Sequence, residues 1–161
     1  KEKREDFYLS VSRLVPNKRV ELIVEAFNKL GLPLIVVGDG QQKKRLKRIA
    51  KSNVKITGKL SDREINELMS KCRGFVYAGV EDFGIAIVEA MASGAPIIGF
   101  GKGGIKIFKN SRKILHRGND WSTFAASCGV PYGTSGGKAY IKPQSTTCHD
   151  RSAWLRGAKR I

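Results

Sequence analysis

Residues 81–99 read EDFGIAIVEAMASGAPIIG, and this stretch carries the signals of a helix followed by a buried strand. Residues 84–93 predict a short helix, and the glycine at position 94 is a typical helix stop. Residues 95–100 form a continuous apolar run, which predicts a strand covered by other elements. The helix offers an apolar face for packing against a sheet, formed by Ile87, Val88 and Met91.

The same alternation extends towards the amino terminus. Four further apolar runs predict strands, at residues 7–12, 33–37, 53–57 and 74–78. A helix is expected between the first two, with Asn17 as its N-cap and Gly31 as its stop. Its apolar face has helical spacing and comprises Val20, Ile23, Val24 and Phe27.

Two more helices are predicted between the remaining strands. Residues 41–52 form a basic helix with a narrow apolar stripe of Leu46, Ile49 and Ala50. Ser61 and Glu64 form a capping box that begins the next helix. The buried face of that helix is expected to be Ile65, Leu68 and Met69.

Strands and helices that alternate with short connections require parallel strands and crossover helices. The sequence therefore predicts an α/β fold, a Rossmann-like doubly wound parallel sheet in three α/β/α layers. Ligands of such sheets bind outside the carboxyl ends of the strands. Candidate site residues are accordingly sought in the loops after each predicted strand.

Composition narrows the classes of protein. The chain has 161 residues, enough for one domain with a core, and no apolar run reaches the length of a membrane span. Residues 1–6 are charged, which excludes a signal peptide there and suggests a linker or cut point within a longer chain. Three dispersed cysteines and two histidines argue against a disulfide framework or a metal site and favour a cytoplasmic setting.

The formal net charge is +16, and it is unevenly distributed. Residues 1–103 contain 19 Lys/Arg and 12 Asp/Glu, whereas residues 104–161 contain 11 and 2. A strongly basic chain suggests either a polyanion such as nucleic acid, or phosphates and anionic lipid surfaces.

Glycines and charges recur after the predicted strands. The set comprises Arg13 and Lys18, then Gly38, Asp39 and Gly40, then Gly58 and Lys59, then residues 81–84, and finally residues 101–104. Glycine lets a ligand approach the backbone closely, although it also ends many strands. The convergence of five such loops on one edge of the sheet is the stronger indication.

The helix predicted to start at Gly84 offers a candidate anion site at its amino terminus. Its first amides lack partners within the helix, and with the helix dipole they favour an anion. Arg13 and Lys18 carry the matching charge, so together these groups predict a diphosphate pocket. Glu81 and Glu89 could each accept two hydroxyl hydrogen bonds from a sugar or ribose. The alternative is that Glu81 is solvated and Glu89 pairs with a nearby cation.

Four segments carry a resemblance to a known family: SVSRLVPNKRVELIVEAF, VVGDG, VKITGKLSDREINELM and EDFGIAIVEAMASGAPIIGFGKGG. They resemble the donor-binding half of a GT-B glycosyltransferase, specifically the glycosyltransferase family 4 group with its many mannosyltransferases. The resemblance covers residues 7–104. The spacing of Glu81 and Glu89 is its most specific feature, followed by the Arg13 and Lys18 pair.

The resemblance implies a role for each site residue. Glu81 would contact the hydroxyls of the donor sugar, and Glu89 the ribose of the nucleotide. Arg13 and Lys18 would bind the diphosphate and stabilise the departing nucleotide, which gives Arg13, Lys18 and Glu81 the catalytic roles. The remaining donor-binding residues would be Gly38, Gly40, Gly58, Lys59, Leu60, Phe83, Gly84 and Ile85, with the base near residues 58–60.

The resemblance also implies partners and an activity. It implies a retaining hexosyltransferase without metal or cofactor that uses a nucleoside-diphosphate sugar, with GDP-mannose as the family-weighted choice. The acceptor would be a glycan or lipid-linked glycan in polysaccharide assembly, held largely by an N-terminal domain missing from these residues. The isolated domain is then expected to be inactive, and a peripheral contact with an anionic membrane at its inner face is expected.

Residues 105–161 depart from the family pattern. They show no sustained helical or strand period, and they contain both tryptophans and both histidines. Two explanations stay open: a genuine divergent tail that completes the domain, or a sequence read out of frame after about residue 104. In the second case much of the net charge would carry no functional information.

Three other functions compete with the glycosyltransferase hypothesis. A nucleic-acid-binding module would use the basic helix and tail, yet no aromatic residues are interleaved with the basic ones as stacking requires. A dehydrogenase would need GxGxxG after the first strand, where SVSRLVPNK stands instead. A non-catalytic nucleotide-binding regulatory domain would keep the fold without transfer. We therefore expect nucleotide sugar, and no nucleic acid, as the ligand.

Overall fold

The computed structural model describes residues 4–80 and 82–99, together with the backbone of residues 132–135 and 138–141. Through residue 99 it contains five strands: β1 (Tyr8–Val11), β2 (Leu34–Val37), β3 (Val54–Gly58), β4 (Gly74–Tyr77) and β5 (Ile97–Gly99). The helices between them are α1 (Val20–Leu30), α2 (Lys43–Ile49), α3 (Asp62–Lys71) and α4 (Ile85–Ala92). A 3-10 turn (Pro16–Lys18) precedes α1, and β6 (Tyr132–Ser135) pairs antiparallel with β7 (Lys138–Ile141).

The five strands form one parallel sheet in the order β3-β2-β1-β4-β5. The chain moves outward from β1 to β2 and β3, and then returns to the other side of β1 with β4 and β5. The order therefore reverses between β1 and β4, where the carboxyl ends of two neighbouring strands leave a crevice. This crevice is the expected ligand position in a doubly wound sheet.

Two apolar clusters pack on opposite faces of the sheet. In the first, Phe27 of α1 and Leu46 of α2 are fully buried among sheet residues such as Val36. In the second, Met69 of α3 and Ile87 of α4 pack with Phe75 and other residues of the sheet. Successive strand residues point to opposite faces, which is why β1, β2, β4 and β5 each contribute to both clusters, whereas β3 contributes to the first alone. The predicted α/β architecture with helices on both faces is confirmed.

The start of α1 differs from the prediction. Asn17 is not its N-cap, because it lies inside the 3-10 turn that begins at Pro16. The N-cap is Arg19, in the left-handed region with φ of 52°, and it makes no side-chain capping hydrogen bond. Proline favours this tight turn by fixing its own φ. The left-handed residue then redirects the chain into α1.

The start of α3 follows the prediction. The Ser61 amide donates to the Glu64 carboxylate over 2.8 Å, and the Glu64 amide donates to Ser61 Oγ over 3.4 Å. The capping box thus satisfies donors that the helix leaves unpaired. On the buried side Met69 is fully enclosed, whereas Ile65 and Leu68 are half-buried.

Residues 4–6 lie against the domain, although they belong to the segment predicted to be a linker. The Glu5 amide donates to the Lys71 carbonyl over 2.9 Å, and Asp6 forms an ion pair with Arg73 over 2.6 Å. The Arg4 guanidinium donates to four carbonyl oxygens at the carboxyl-terminal ends of α3 and α4, those of Met69, Ser70, Cys72 and Ser93. A cation suits these positions because helix carboxyl termini carry negative partial charge.

Cys72 is buried and unpaired, and burial raises the pKa of its thiol to about 11. Such a thiol is a structural core residue and not a nucleophile. Cys128 and Cys148 lie outside the described residues. None of the helices described here has the length and apolar character needed to cross a bilayer.

Candidate functional site

The crevice between β1 and β4 is bordered by the loops that follow these two strands. Arg13 lies in the first loop, where its side chain is exposed and the Val15 amide donates to its carbonyl oxygen. The second loop leads to α4. Glu81, within this second loop, lies outside the described residues, as do residues 101–104 after β5. The roles predicted for Glu81 therefore stay predictions.

Lys18 is brought directly to the end of β4. A Cβ atom added to Gly79 would lie 3.3 Å from Lys18 Cα and 3.0 Å from a ring carbon of Tyr77. The loop after β4 therefore approaches Lys18 as closely as a glycine allows. Lys18 is half-buried at this contact, at the end of the 3-10 turn that follows the loop after β1.

The amino terminus of α4 opens into the same region. Gly84 is the N-cap, with φ of 79°, and its carbonyl accepts from the amides of Ile87 and Val88. No side chain of the described residues caps this end, and its first turn contains no acidic residue. The amides at the start of α4 and the positive end of its dipole are thus available to an anion.

Gly84 is required here for two reasons. Its positive φ favours glycine, and a Cβ atom would lie 2.9 Å from Cδ1 of Ile87. Beside it, Phe83 and Ile85 are exposed large hydrophobic side chains, 55% and 67% accessible, and Val80 adds to them. An exposed apolar border next to an anion site suits a ligand or domain that covers both.

Glu89 lies on the exposed side of α4. Its carbonyl accepts hydrogen bonds from the amide and hydroxyl of Ser93, which involve the backbone and not the carboxylate. Among the described residues, no ion pair involves the Glu89 carboxylate, so the pairing that we considered as an alternative is not seen there. The carboxylate is accessible to a ligand from solvent.

Gly38 and Gly40 serve contacts between loops. A Cβ atom on Gly38 would lie 1.9 Å from the Ser12 carbonyl oxygen, and one on Gly40 would lie 2.5 Å from that of Leu14. The Leu14 amide also donates to the Asp39 carbonyl over 2.9 Å. The chain's own backbone therefore fills the space that a side chain would take, and close packing explains both glycines. Their predicted contact with a donor stays a prediction.

Gly58 ends β3, with φ of 96°, and borders a lysine that sequence reasoning did not select. A Cβ atom on Gly58 would lie 2.9 Å from Lys43 Nζ. Lys43 donates to Asp39 Oδ2 over 2.6 Å, while the Gly40 amide donates to Asp39 Oδ1 over 2.8 Å. The bond from Lys43, followed by that from Gly40, holds the pKa of the Asp39 carboxyl below its usual value. Asp39 therefore remains ionised near neutral pH.

Lys59 is exposed and Leu60 is half-buried beyond the end of β3. Leu60 also lines a cavity of about 350 Å³ beneath α3, together with residues such as Phe7, Ile35 and Lys55. This cavity lies on the face of the sheet, away from the crevice, and its lining includes neither Arg13, Lys18 nor Gly84. We therefore place the candidate site at the carboxyl edge and not in the cavity.

The described residues contain no group of three His, Cys, Asp or Glu side chains placed to hold a metal ion. The expectation of a site without metal or cofactor stays a prediction. The structure thus brings Lys18 to the loop that leads to Gly84, with Arg13 exposed after β1, and it places Gly38, Gly40 and Gly58 in adjoining loops. The motifs at the ends of the strands did not indicate Lys43. The available signal was its spacing of four residues from Asp39, which allows the two side chains to pair.

Comparison with protein families gives a match over most of the chain. Residues 1–127 match the family model described as "Glycosyl transferases group 1". The match includes all the predicted site residues and continues past residue 104.

Individual proteins agree with this match. The chain is 30% identical over 117 residues to O-antigen chain mannosyltransferase C of Escherichia coli, covering 68% of this chain and 32% of that protein. It is 35% identical over 95 residues to a GDP-mannose-dependent alpha-mannosyltransferase of Mycolicibacterium smegmatis, covering 58% and 25%. The chain thus spans about a third or less of the curated relatives it matches.

A solved structure supports the fold. HepE of Anabaena, in complex with UDP-glucose, superposes with a TM-score of 0.64 and 25% identity, covering 77% of this chain and 38% of that one. The predicted Rossmann-like sheet is therefore shared with a protein crystallised with a nucleotide sugar.

Proposed function

This chain belongs to the glycosyl transferases group 1 family, and from that premise we propose that it is the donor-binding half of a retaining GT-B glycosyltransferase of family 4. The observation that carries the proposal is the crevice between β1 and β4. There Lys18 contacts the loop that leads to the open amino terminus of α4, and Arg13 is exposed after β1. Two cations and a helix amino terminus suit a diphosphate.

The proposed chemistry is glycosyl transfer from a nucleoside-diphosphate sugar. The bond from the anomeric carbon to the diphosphate oxygen breaks, and its electron pair remains on the diphosphate. A bond to the acceptor hydroxyl oxygen forms on the same face of the sugar, and the diphosphate takes the hydroxyl proton. Preorganised donors lower the barrier by stabilising the negative charge that develops on the leaving group. Arg13, Lys18 and the first amides of α4 are those donors.

The other predicted roles complete the proposal. Glu81 and Glu89 accept hydrogen bonds from sugar and ribose hydroxyls, and the base lies over residues 58–60. The hexose is mannose, with GDP-mannose as donor, which is supported by the mannosyltransferases among the relatives, such as those of Escherichia coli and Mycolicibacterium smegmatis. The acceptor is a glycan or lipid-linked glycan, bound largely by a second domain. No metal is needed, because the cations and the helix terminus supply the charge.

We place this enzyme in the cytoplasm, at the inner face of the membrane. The basic surface of α2 supports this location, because Lys44, Lys47 and Arg48 are exposed and no acidic residue interrupts the helix. Lysine and arginine near anionic lipid each contribute about 1 kcal/mol of attraction.

Calorimetric titration with UDP, GDP and ADP, and with a duplex oligonucleotide at physiological salt, tests the proposal. A nucleoside diphosphate should bind, and Arg13→Ala or Lys18→Ala should weaken it by about tenfold or more, the loss of one charge-assisted contact. Arg63→Ala, which removes an exposed arginine of α3, is the matched control and should bind like the parent. Binding of the duplex alone would contradict the proposal in favour of a nucleic-acid module.

A further inference from the structure

Lys43 and Asp39 form a polar pair at the carboxyl ends of β2 and β3, outside the crevice that holds the diphosphate. Their charged atoms lie 2.6 Å apart, and the side chains are 28% and 56% exposed. Lys43 Nζ also lies against Gly58, where a Cβ atom would come within 2.9 Å. A larger residue at position 58 would displace the ammonium, so the position of Lys43 depends on the absence of a side chain at Gly58.

The position of Lys43 at the start of α2 is electrostatically unfavourable. It is the first residue of α2, where the helix dipole disfavours a cation. The ionised Asp39 compensates by holding it there. An ammonium has three N–H donors, and within the described part of the chain Asp39 takes one of them. The remaining N–H donors of Lys43 lie beside the carboxylate lone pairs of Asp39 that accept no hydrogen bond from Lys43 or Gly40. The pair therefore presents a donor and an acceptor side by side.

Distance along the sheet decides which part of a nucleotide meets this pair. Neighbouring strands lie about 4.8 Å apart, so the β2–β3 boundary is about 10 Å from the β1–β4 crevice. A phosphate held in the crevice is therefore about two strand spacings from the β2–β3 boundary. In the proposed binding mode the group that extends to this boundary is the base, at the far end of the nucleoside.

We propose that Lys43 and Asp39 read the edge of the base, with Lys43 donating to a ring carbonyl oxygen and Asp39 accepting from the adjacent ring N–H. This inference rests on the proposed function. Uracil and guanine both carry a carbonyl oxygen beside a ring N–H. Adenine carries an amino group beside an unprotonated nitrogen, which is the reverse arrangement. The pair therefore selects uridine or guanosine diphosphates over adenosine diphosphate.

Lys43→Met tests the inference because it keeps the length of the side chain and removes its donors. Lys71→Met is the matched control, since Lys71 forms an i,i+4 pair with Glu67 at the same 2.6 Å, at the opposite end of the sheet. Calorimetry with UDP, GDP and ADP is run on the parent chain and both variants, and thermal unfolding checks that each variant is folded.

We expect the parent to bind UDP or GDP more tightly than ADP. Lys43→Met should weaken that tighter binding about tenfold, while ADP changes less than about threefold and Lys71→Met changes neither. An equal loss for all three nucleotides, or no loss in a folded variant, overturns the role at the base and leaves the proposed function standing. If the parent binds none of the three, the proposed function itself fails, and the base contact with it.

Discussion

Gly38 shows how closely the loops are packed at the carboxyl edge of the sheet. Gly38→Ala would place a methyl group 1.9 Å from the Ser12 carbonyl oxygen at a positive φ. We expect a loss of about 3 kcal/mol or more in the free energy of unfolding, from left-handed strain and overpacking together. Urea denaturation measures the loss.

Gly31→Ala is the matched control for that experiment. Gly31 also has a positive φ, of 68°, but nothing lies within 4 Å of its added Cβ atom. This variant should lose about 1 kcal/mol, the strain of the left-handed conformation alone. Equal losses at positions 31 and 38 would show that the contact with Ser12 does not matter.

Arg4 joins the carboxyl-terminal ends of two helices. Its guanidinium donates to carbonyl oxygens at the ends of α3 and α4, at distances from 2.8 to 3.4 Å. Arg4→Ala would leave these oxygens, of which those of Met69, Cys72 and Ser93 are in partly buried hydrogen bonds, without a charged donor. We expect a loss of about 2 kcal/mol in the free energy of unfolding, measured in urea. Arg63→Ala removes an exposed arginine from α3 and should change stability by less than about 0.5 kcal/mol; similar losses in both variants would contradict the role of Arg4.

The sequence was enough to predict which loops form the candidate site, but not which contacts each residue of those loops makes. Gly38 and Gly40 were predicted to admit a ligand, and the structure shows that their missing side chains admit the backbone of Ser12 and Leu14. Lys43 was predicted only as part of a basic helix, and the structure places its ammonium against Gly58. Both contacts join loops distant in sequence, which local spacing does not encode.

At the scale of the element, the capping box of α3 is both predictable and sensitive to pH. Ser61→Ala should lower stability by about 1 kcal/mol near neutral pH. Hydrogen bonds from Ser61, first from its side chain and then from its backbone, hold the pKa of the Glu64 carboxyl below its usual value. A lowered pKa means that the contribution is present above the unfolded value of about 4.3 and is lost as pH falls through the folded value.

The cost of Ser61→Ala should therefore shrink as pH falls below about 4. Urea denaturation of parent and variant at neutral and acid pH measures that difference. Ser52→Ala provides the control, since Ser52 lies in an exposed turn and caps no helix of the described chain. If Ser61→Ala lowers the free energy of unfolding by the same amount at both pH values, the ionised Glu64 carboxylate does not contribute to the cap.

Helix boundaries were less predictable than helix existence. The basic segment was expected to be helical over residues 41–52, but α2 covers Lys43–Ile49. The Asn28 side chain of α1 donates to the Ile49 carbonyl over 2.7 Å and accepts from the Lys51 amide over 2.9 Å. This tertiary contact ends α2 one turn early. No residue near the end of α2 signals it, because the cap comes from another helix.

At the scale of the whole molecule, the sheet order divides the proposed work. In the proposed function the crevice between β1 and β4 receives the diphosphate, and the loops after β2 and β3 receive the nucleoside. Alternating strands and helices were enough to predict the parallel sheet, because short connections leave no other pairing. The doubly wound arrangement was also predicted, but the order of the strands, and hence which two strands flank the crevice, required the structure, because no single segment encodes that order.

This division leaves no acceptor site in the proposed roles, and that leads to a prediction for the 161-residue chain. The chain covers about a third or less of its relatives, and its described edge offers an exposed apolar border at Val80, Phe83 and Ile85 beside the diphosphate crevice. We propose that a second domain closes over this border and supplies the acceptor. The chain alone should then bind a nucleoside diphosphate and transfer no sugar.

Calorimetry with UDP and GDP, alongside transfer assays with radiolabelled UDP-glucose and GDP-mannose and an oligosaccharide acceptor, measures both properties on one preparation. Val80→Ser serves as the matched variant, because Val80 is exposed in the same border and is not among the residues predicted to bind the donor. It should leave nucleotide affinity within about threefold, because no diphosphate contact is lost. Sugar transfer by the 161-residue chain would show that the acceptor site lies within these residues. That result would contradict the proposal that a second domain supplies the acceptor.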